Sequence, residues 1–396
     1  MKKTLGVLFA AVLIFSSSSP ASAEERTVEE RLKALEEKSA TWSPSLGAWS
    51  FYGSARFMTF YEESSKKFAD VKTLTDLSPA ADNKTTAWGM QNNSRLGASV
   101  SKGNLGGKIE LGFNPDGRGS NSNVYTRLLY GTYSSEGMVF LVGQDYTPLD
   151  FTAFSNQVFG SDNDLYYYGN PYESRQPQVK LTWKGFQAAL VKPGSADVAP
   201  GTAANRKTEV LLPRLDLRYS ANLGAFKGDV FGGASTYKVK STSGASINKN
   251  VESYLAGLNG SVTVSPVYAN AMVWSGQNIK QMGFSQANTI GAQINSSGEV
   301  HNSQDFGWAA VAGGNIGKCT VEAGYGYVVS KNSLYTLPDT ARARSYYLQT
   351  VIPVVAINGA KFSITPEIGV IDNMNDASGA PKGSAKYAGA QWRLDF

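Results

Sequence analysis

Histidine, cysteine and long apolar runs are nearly missing from this chain. Its 396 residues include one histidine, His301, and one cysteine, Cys319. A single cysteine allows no internal disulfide. Cys319 falls where a strand begins and reads as a small apolar wall residue. One histidine, in the Gly/Ser/Asn-rich stretch Ile294–Gln304, cannot supply a Ser-His or Cys-His nucleophile system in a strand wall. No His/Cys group has metal-ligand spacing, and no Cys-x-x-Cys-His offers a haem attachment. Glycine pairs such as Gly313-Gly314 precede no helix and so fit close strand packing, not a phosphate cradle. No catalytic residue, metal or cofactor is therefore expected. No segment approaches 18 consecutive apolar residues, which leaves no candidate transmembrane helix. Charge is sparse at 17% and nearly balanced, with a net +5. That surplus is too small to imply nucleic acid.

The N-terminus is built differently from the rest. Lys2 and Lys3 precede an apolar core, Leu5–Phe15, and the small-residue site Ala21-Ser22-Ala23. These features predict a secretory signal peptide over 1–23. Residues 24–45 form a second unit. Glu24–Lys38 is charged, and Val28, Leu32 and Leu35 fall at a four-then-three spacing, a seam of about two heptads. A helix this short is marginal alone. It fits a small trimeric coiled coil or a frayed polar helix equally well. Thr41–Leu46 reads as a linker to a third unit, 46–396.

Glycine is abundant (41), and so are tyrosine (20) and phenylalanine (18), as expected for many strands with tight turns. From Trp49 onward sixteen period-two segments can be counted: 49–61, 86–101, 106–114, 124–133, 137–144, 176–184, 185–193, 208–220, 225–239, 251–263, 267–277, 304–316, 319–330, 342–355, 360–372 and 386–396. Their faces differ. Ile109, Leu111 and Phe113 oppose Lys108, Glu110 and Gly112; Leu215, Leu217 and Tyr219 oppose Arg214, Asp216 and Arg218. Seven short connections alternate with eight long ones along the chain. Such sorting of loops by side is a property of transmembrane barrels, with short turns at one end and long loops at the other. A soluble sandwich has no reason for it. The expected fold is all-β: a 16-stranded antiparallel transmembrane β-barrel.

The final strand carries the same signal. Ala388, Ala390, Trp392, Leu394 and Phe396 alternate with Tyr387, Gly389, Gln391, Arg393 and Asp395. One face suits lipid and the other water. Six tryptophans, at 49, 88, 183, 274, 308 and 392, lie in or at the ends of the strands, where an aromatic girdle would collect them.

Three stretches carry a family resemblance. Residues 124–148, Val-Tyr-Thr-Arg-Leu-Leu-Tyr-Gly-Thr-Tyr-Ser-Ser-Glu-Gly-Met-Val-Phe-Leu-Val-Gly-Gln-Asp-Tyr-Thr-Pro, resemble the hairpin leading into the constriction loop of Gram-negative general-diffusion porins. Asn93-Ser94-Arg95-Leu96-Gly97 resembles their second-strand motif, which places an arginine on the pore wall. Arg175–Gln187 resembles the segment that re-enters the barrel after the loop. The chain is also similar to porins of metal-reducing bacteria that carry short N-terminal helices. The resemblance implies an integral outer-membrane channel, a homotrimer, surrounding lipid, and passive diffusion of small hydrophilic solutes and ions. The C-terminus resembles the signal read by the barrel assembly machinery, with Trp392, Leu394 and Phe396 as its residues. One departure stands out: Gly143-Gln144-Asp145 occupies a place where members often carry Gly-Arg-Gln. An expected wall arginine is absent and an acid lies beside the gap.

The connection 145–174 holds Asp145, Asp150, Asp162, Asp164 and Glu173 and no lysine or arginine. It also holds Phe151, Phe154 and Phe159, which an external loop has little need of. Folded inward, those rings would anchor it as a constriction loop. Asp145, Asp150, Asp162 and Asp164 are then its expected acidic residues. The expected basic pore wall comprises Arg56, Arg95, Lys108, Arg127, Lys180, Arg214, Arg218 and Lys227, with Lys361 and Arg393 as further inward positions. Opposed charges across a narrow lumen would order water and set ion preference. The plain alternative is that these charges pair with each other and solvate the lumen. Two other functions fit the same barrel: a substrate- or anion-selective porin, and an adhesin or a sheath for a partner redox protein.

Overall fold

Strict alternation of side chains forces each strand here to have an apolar face and a polar face, and only a closed sheet can hide both backbone edges in lipid. The computed structural model describes residues 47–396 apart from 66–82, 114–123, 163, 194–205, 242–246, 285, 296 and 336–337. The expected signal peptide and the segment 24–45 lie outside the described residues. The strands are β1 (Ala48–Ser64), β2 (Asn83–Met90, resuming as Ser94–Lys102), β3 (Leu105–Phe113), β4 (Val124–Ser135), β5 (Met138–Asp145), β6 (Gln176–Trp183), β7 (Phe186–Val191) and β8 (Arg206–Glu209, resuming as Arg214–Leu223). They continue as β9 (Phe226–Ser241), β10 (Asn248–Val264), β11 (Val267–Gln277), β12 (Ser303–Ile316), β13 (Cys319–Asn332), β14 (Thr340–Ile357), β15 (Ala360–Asn375) and β16 (Ser384–Asp395).

Each strand pairs antiparallel with its sequence neighbours, and β16 returns to pair with β1, closing a 16-strand barrel. Phe396 completes the seam. Its N–H donates to the Gly53 carbonyl at 3.1 Å, and its carbonyl accepts from the Gly53 N–H at 2.7 Å. Its ring covers Gly53 on the outer face, beside Leu96.

The outer face is apolar. Leu129, Val142, Leu190, Val230, Leu258 and Ile368 are all exposed there. Aromatic rings collect at its two ends: Tyr133, Trp183, Phe186 and Phe226 near the short turns, Tyr61, Trp88, Tyr254 and Phe306 toward the long loops. Trp274 does not join them. It is 1% exposed and faces inward, over Gly307 of β12, with its indole N–H donating to the Gly169 carbonyl at 2.6 Å. Its parity on β11 decides this, since it shares a face with the buried Met272.

Candidate functional site

Two connections carry the apolar residues that the lumen buries. The first, 146–175, contains a single helical turn, α1 (Phe159–Asp162); the second, 278–302, contains another, α2 (Ile279–Met282). Phe151, Phe154, Val158, Phe159 and Tyr168 of the first share one core with inward residues of the wall, including Phe60, Phe231, Leu255 and Tyr387. Phe159 stacks on Tyr387 with ring centroids 3.7 Å apart and meets Phe60 edge-on at 5.4 Å. Burial of such a ring contributes roughly 1.5–3 kcal/mol.

Wall carboxylates hold the loop backbone. Glu322 on β13 accepts from the Asn156 N–H and from its side-chain amide, both at 2.7 Å. Glu367 on β15 accepts from the N–H groups of Val158 and Phe159 at 2.7 and 3.2 Å. These two inward acids thus serve as loop anchors. At Gly326 the approach is closest. A Cβ there would collide with the carbonyl of Tyr168, so only glycine admits the loop backbone at that point of β13.

The loop leaves a cavity of about 640 Å³ against the opposite wall. Its lining includes Tyr52 and Arg56 of β1, Arg95 of β2, Lys108 and Glu110 of β3, Arg127 and Tyr130 of β4, and Arg393 of β16. From the loop come Thr152, Ser155, Asn156, Gln157, Asp162 and Arg175. Arg127 reaches the lumen through a bulge: the register shifts between Glu110 and Leu111, which face Leu128 and Thr126. A bulge re-aims a side chain against simple alternation, so Arg127 and Tyr130 both turn inward. Glu110 gathers three partners. It accepts from the Arg127 Nε at 2.6 Å and the Tyr52 hydroxyl at 2.8 Å, and Arg95 lies 3.8 Å away. The Lys108 ammonium sits 4.9 Å from the Tyr52 ring centroid. The Tyr146 hydroxyl accepts from both Arg127 and Arg175, each at 3.2 Å.

The four loop acids have different fates. Asp162 pairs with Arg56 and accepts from the Gln391 side-chain amide at 2.7 Å. Asp145, at the end of β5, pairs with Lys180 of β6 at 2.6 Å. Asp150 and Asp164 are not paired with the arginines of this cavity. Asp150 accepts from the Thr147 N–H at 3.1 Å and the Glu173 N–H at 3.2 Å, which closes the loop's base. Asp164 accepts from the N–H groups of Phe154 and Ser155. Burial pushes the Asp164 carboxyl up to about 8 and lifts Asp150 well above the usual carboxylate range. The loop therefore shows the cavity mostly neutral polar groups.

Four expected wall cations do not line this cavity: Lys180, paired with Asp145, and three that lie farther round the wall. Arg214 is fully buried beneath the loop, paired with Glu173 and with Asp216, and donates to the Met282 carbonyl at 2.7 Å. Arg218 pairs with Asp229 at 3.0 Å and lies over the Phe151 ring, 4.2 Å from its centroid. Lys227 joins Arg218 in lining a smaller cavity of about 210 Å³ on the far side of the loop. Trp392 and Leu394 lie on the outer face next to β1, where Trp392 donates to the Thr59 hydroxyl at 3.1 Å.

Sequence reasoning misses Arg175, which stands one residue past the acid-only stretch, and the cavity's tyrosines. It also treats 278–303 as an ordinary long loop. The available signal was the same that singles out the first loop: Ile279, Met282, Phe284 and Ile290 are apolar residues an external loop has little need of.

No family model matches the chain, and no curated protein matches it in sequence. Solved structures do. The outer membrane channel DcaP of Acinetobacter baumannii aligns with a TM-score of 0.68 at 16% identity, covering 89% of this chain and 99% of that one. OmpT, an outer membrane protein of Vibrio cholerae solved in a trimer form, aligns with a TM-score of 0.53 at 16% identity, covering 89% and 100%. An anion-selective porin from Comamonas acidovorans aligns at 0.55 with 12% identity, covering 88% and 99%. The chain has the sixteen-stranded fold of outer-membrane porins.

Proposed function

We propose that this porin-fold barrel is an outer-membrane channel for passive diffusion of small hydrophilic solutes, with anions preferred over cations. The cavity's lining carries the reading. Six cationic groups, Arg56, Arg95, Lys108, Arg127, Arg175 and Arg393, meet the carboxylates of Glu110, Asp145 and Asp162. The fourth lining acid, Asp164, is spent on loop amides. A surplus of positive charge in a narrow lumen lowers the barrier for anions and raises it for cations. The name of the Comamonas porin agrees with such a preference on this fold.

Cavity size favours a channel over a sheath. About 640 Å³ suits a small solute and has no room for a folded partner. The chain would be exported by its signal peptide and assembled as a homotrimer, as the trimer form of OmpT illustrates for that protein. The test is single-channel recording of the purified protein in planar bilayers, with reversal potential measured in a salt gradient. Ohmic steps and a reversal potential on the anion side are expected. Absence of steps, or cation preference, overturns the reading. Assembly has its own check. Deleting Phe396 removes both backbone bonds to Gly53, and heat-modifiable barrel in the outer membrane should fall well below the wild-type level; an unchanged level would refute the terminal signal.

A further inference from the structure

The segment between β11 and β12 does not behave as a free external loop. Ile279, Met282 and Phe284 are fully buried, in the core shared with the first loop. Gln286 grips that loop at two successive residues: its Oε1 accepts from the Gly169 N–H at 3.1 Å and its Nε2 donates to the Asn170 carbonyl at 3.0 Å. The Ala287 N–H donates to the Tyr167 carbonyl at 2.8 Å. Wall residues hold the other edge. Asn288 donates to the carbonyls of Arg342 and Asn373 at 3.0 and 2.6 Å, and the Ile290 N–H donates to the Ser330 hydroxyl at 3.0 Å. At its start the segment is tied to β8, where Arg214 donates to Met282. It thus crosses from β8 to β14 and β15.

Residues 167–170 of the first loop are held from two sides. Gly326 of the wall receives the Tyr168 carbonyl on one side; Gln286 and Ala287 take the backbone on the other. A buried side-chain amide satisfied at both ends by another loop is a specific fixture, because leaving such groups unpaired is costly. We infer that 278–294 is a clamp that sets the size limit of the pore: it fixes 146–175 at Tyr167–Asn170 and narrows the half of the lumen under β9–β13, with Gln286 as the positioning residue. This rests on the channel reading above. Solutes are then confined to the arginine-lined half, and the limit depends on residues that never touch them.

The test is the double variant Gln286→Ala, Asn288→Ala, with Gln286→Ala alone as the second variant if the double one fails to fold. Both are read by single-channel conductance, by liposome swelling with sugars of increasing size, and by hydrogen exchange of the amides at 167–170. Folded variants should conduct roughly twofold more, admit larger sugars, and lose about tenfold in amide protection. Wild-type conductance, size limit and protection in a folded variant would overturn the clamp. The two readings fail separately. A wild type that gives no channels defeats the channel reading, while exchange at 167–170 still decides whether Gln286 holds the loop.

Discussion

On β1–β4 the inward positions carry Tyr52, Arg56, Arg95, Lys108, Glu110, Arg127 and Tyr130, and they face an open cavity. On β9–β13 many inward positions carry Phe231, Leu255, Met272, Trp274, Ala309, Val311 and Val328, and they face packed loop side chains. The two halves share one sheet and one hydrogen-bonding scheme. They differ in what fills the space between the walls. On the first side charge lines an open cavity and is partly uncompensated, with six cationic groups against four acids. On the other side a hydrophobic interior like that of a soluble domain is built inside a membrane barrel. On the channel reading proposed above, core packing would govern pore width, and a separate set of charges would govern ion preference.

The largest effect should come from breaking the packed half at its tightest point. Gly326→Val puts a branched side chain where the Tyr168 carbonyl lies, so the loop must leave the wall. Conductance in planar bilayers should rise roughly two- to threefold while the barrel stays heat-modifiable. Wild-type conductance in a folded Gly326→Val protein would mean that the loop does not narrow the pore.

Next in size are the charges of the open half. Neutralising Arg95 and Arg175 together should lower the anion-to-cation permeability ratio roughly severalfold. Asp162→Asn, which frees Arg56, should raise it. Asp150→Asn should leave the ratio unchanged, because its carboxylate closes the loop base and not the cavity wall. A shift with Asp150→Asn as large as that with Asp162→Asn would erase the distinction drawn between the two acids. Reversal potentials in one salt gradient test all three.

The smallest effect is one of pH. Asp164 is buried and held near 8, above its ordinary 3.8. A raised carboxyl pKa favours the folded loop most while the group is protonated. That contribution is complete below about 3.8 and is lost as pH rises through about 8. Open-channel noise from a loosening loop should therefore increase between about pH 4 and about pH 8, and Asp164→Asn should flatten the change. Equal noise across that range in the wild type would remove the link between Asp164 and docking.

Most of the wall was legible because period-two alternation is a local property. Arg95, Lys108 and Arg56 follow from parity alone, and the strand ends follow from glycine-containing turns. Arg127 is different. Parity cannot turn both Arg127 and Tyr130 inward, and the bulge that permits it has no local signature. Loop acids were visible as acids but not as vectors. Nothing in 145–174 separates Asp162, aimed at Arg56 on the first strand, from Asp164, aimed at the loop's own amides, because both directions are set by how the loop folds in the lumen. Trp274 failed for a related reason: an indole near a strand end suits a membrane interface and a packed lumen equally.

The distances in sequence between the loop and its anchors have a kinetic meaning. Asn156 waits for Glu322, 166 residues later, Val158 for Glu367, 209 later, and Gln157 for Tyr387, 230 later. Contacts so remote form late, after the loop-closure entropy of the intervening chain has been overcome. A barrel lacking its last strands would keep the loop's ties to Arg56, Phe60 and Gln91 but not these three anchors. Full docking of the loop would therefore need the closed barrel, so the step that closes the wall is also the step that narrows the lumen.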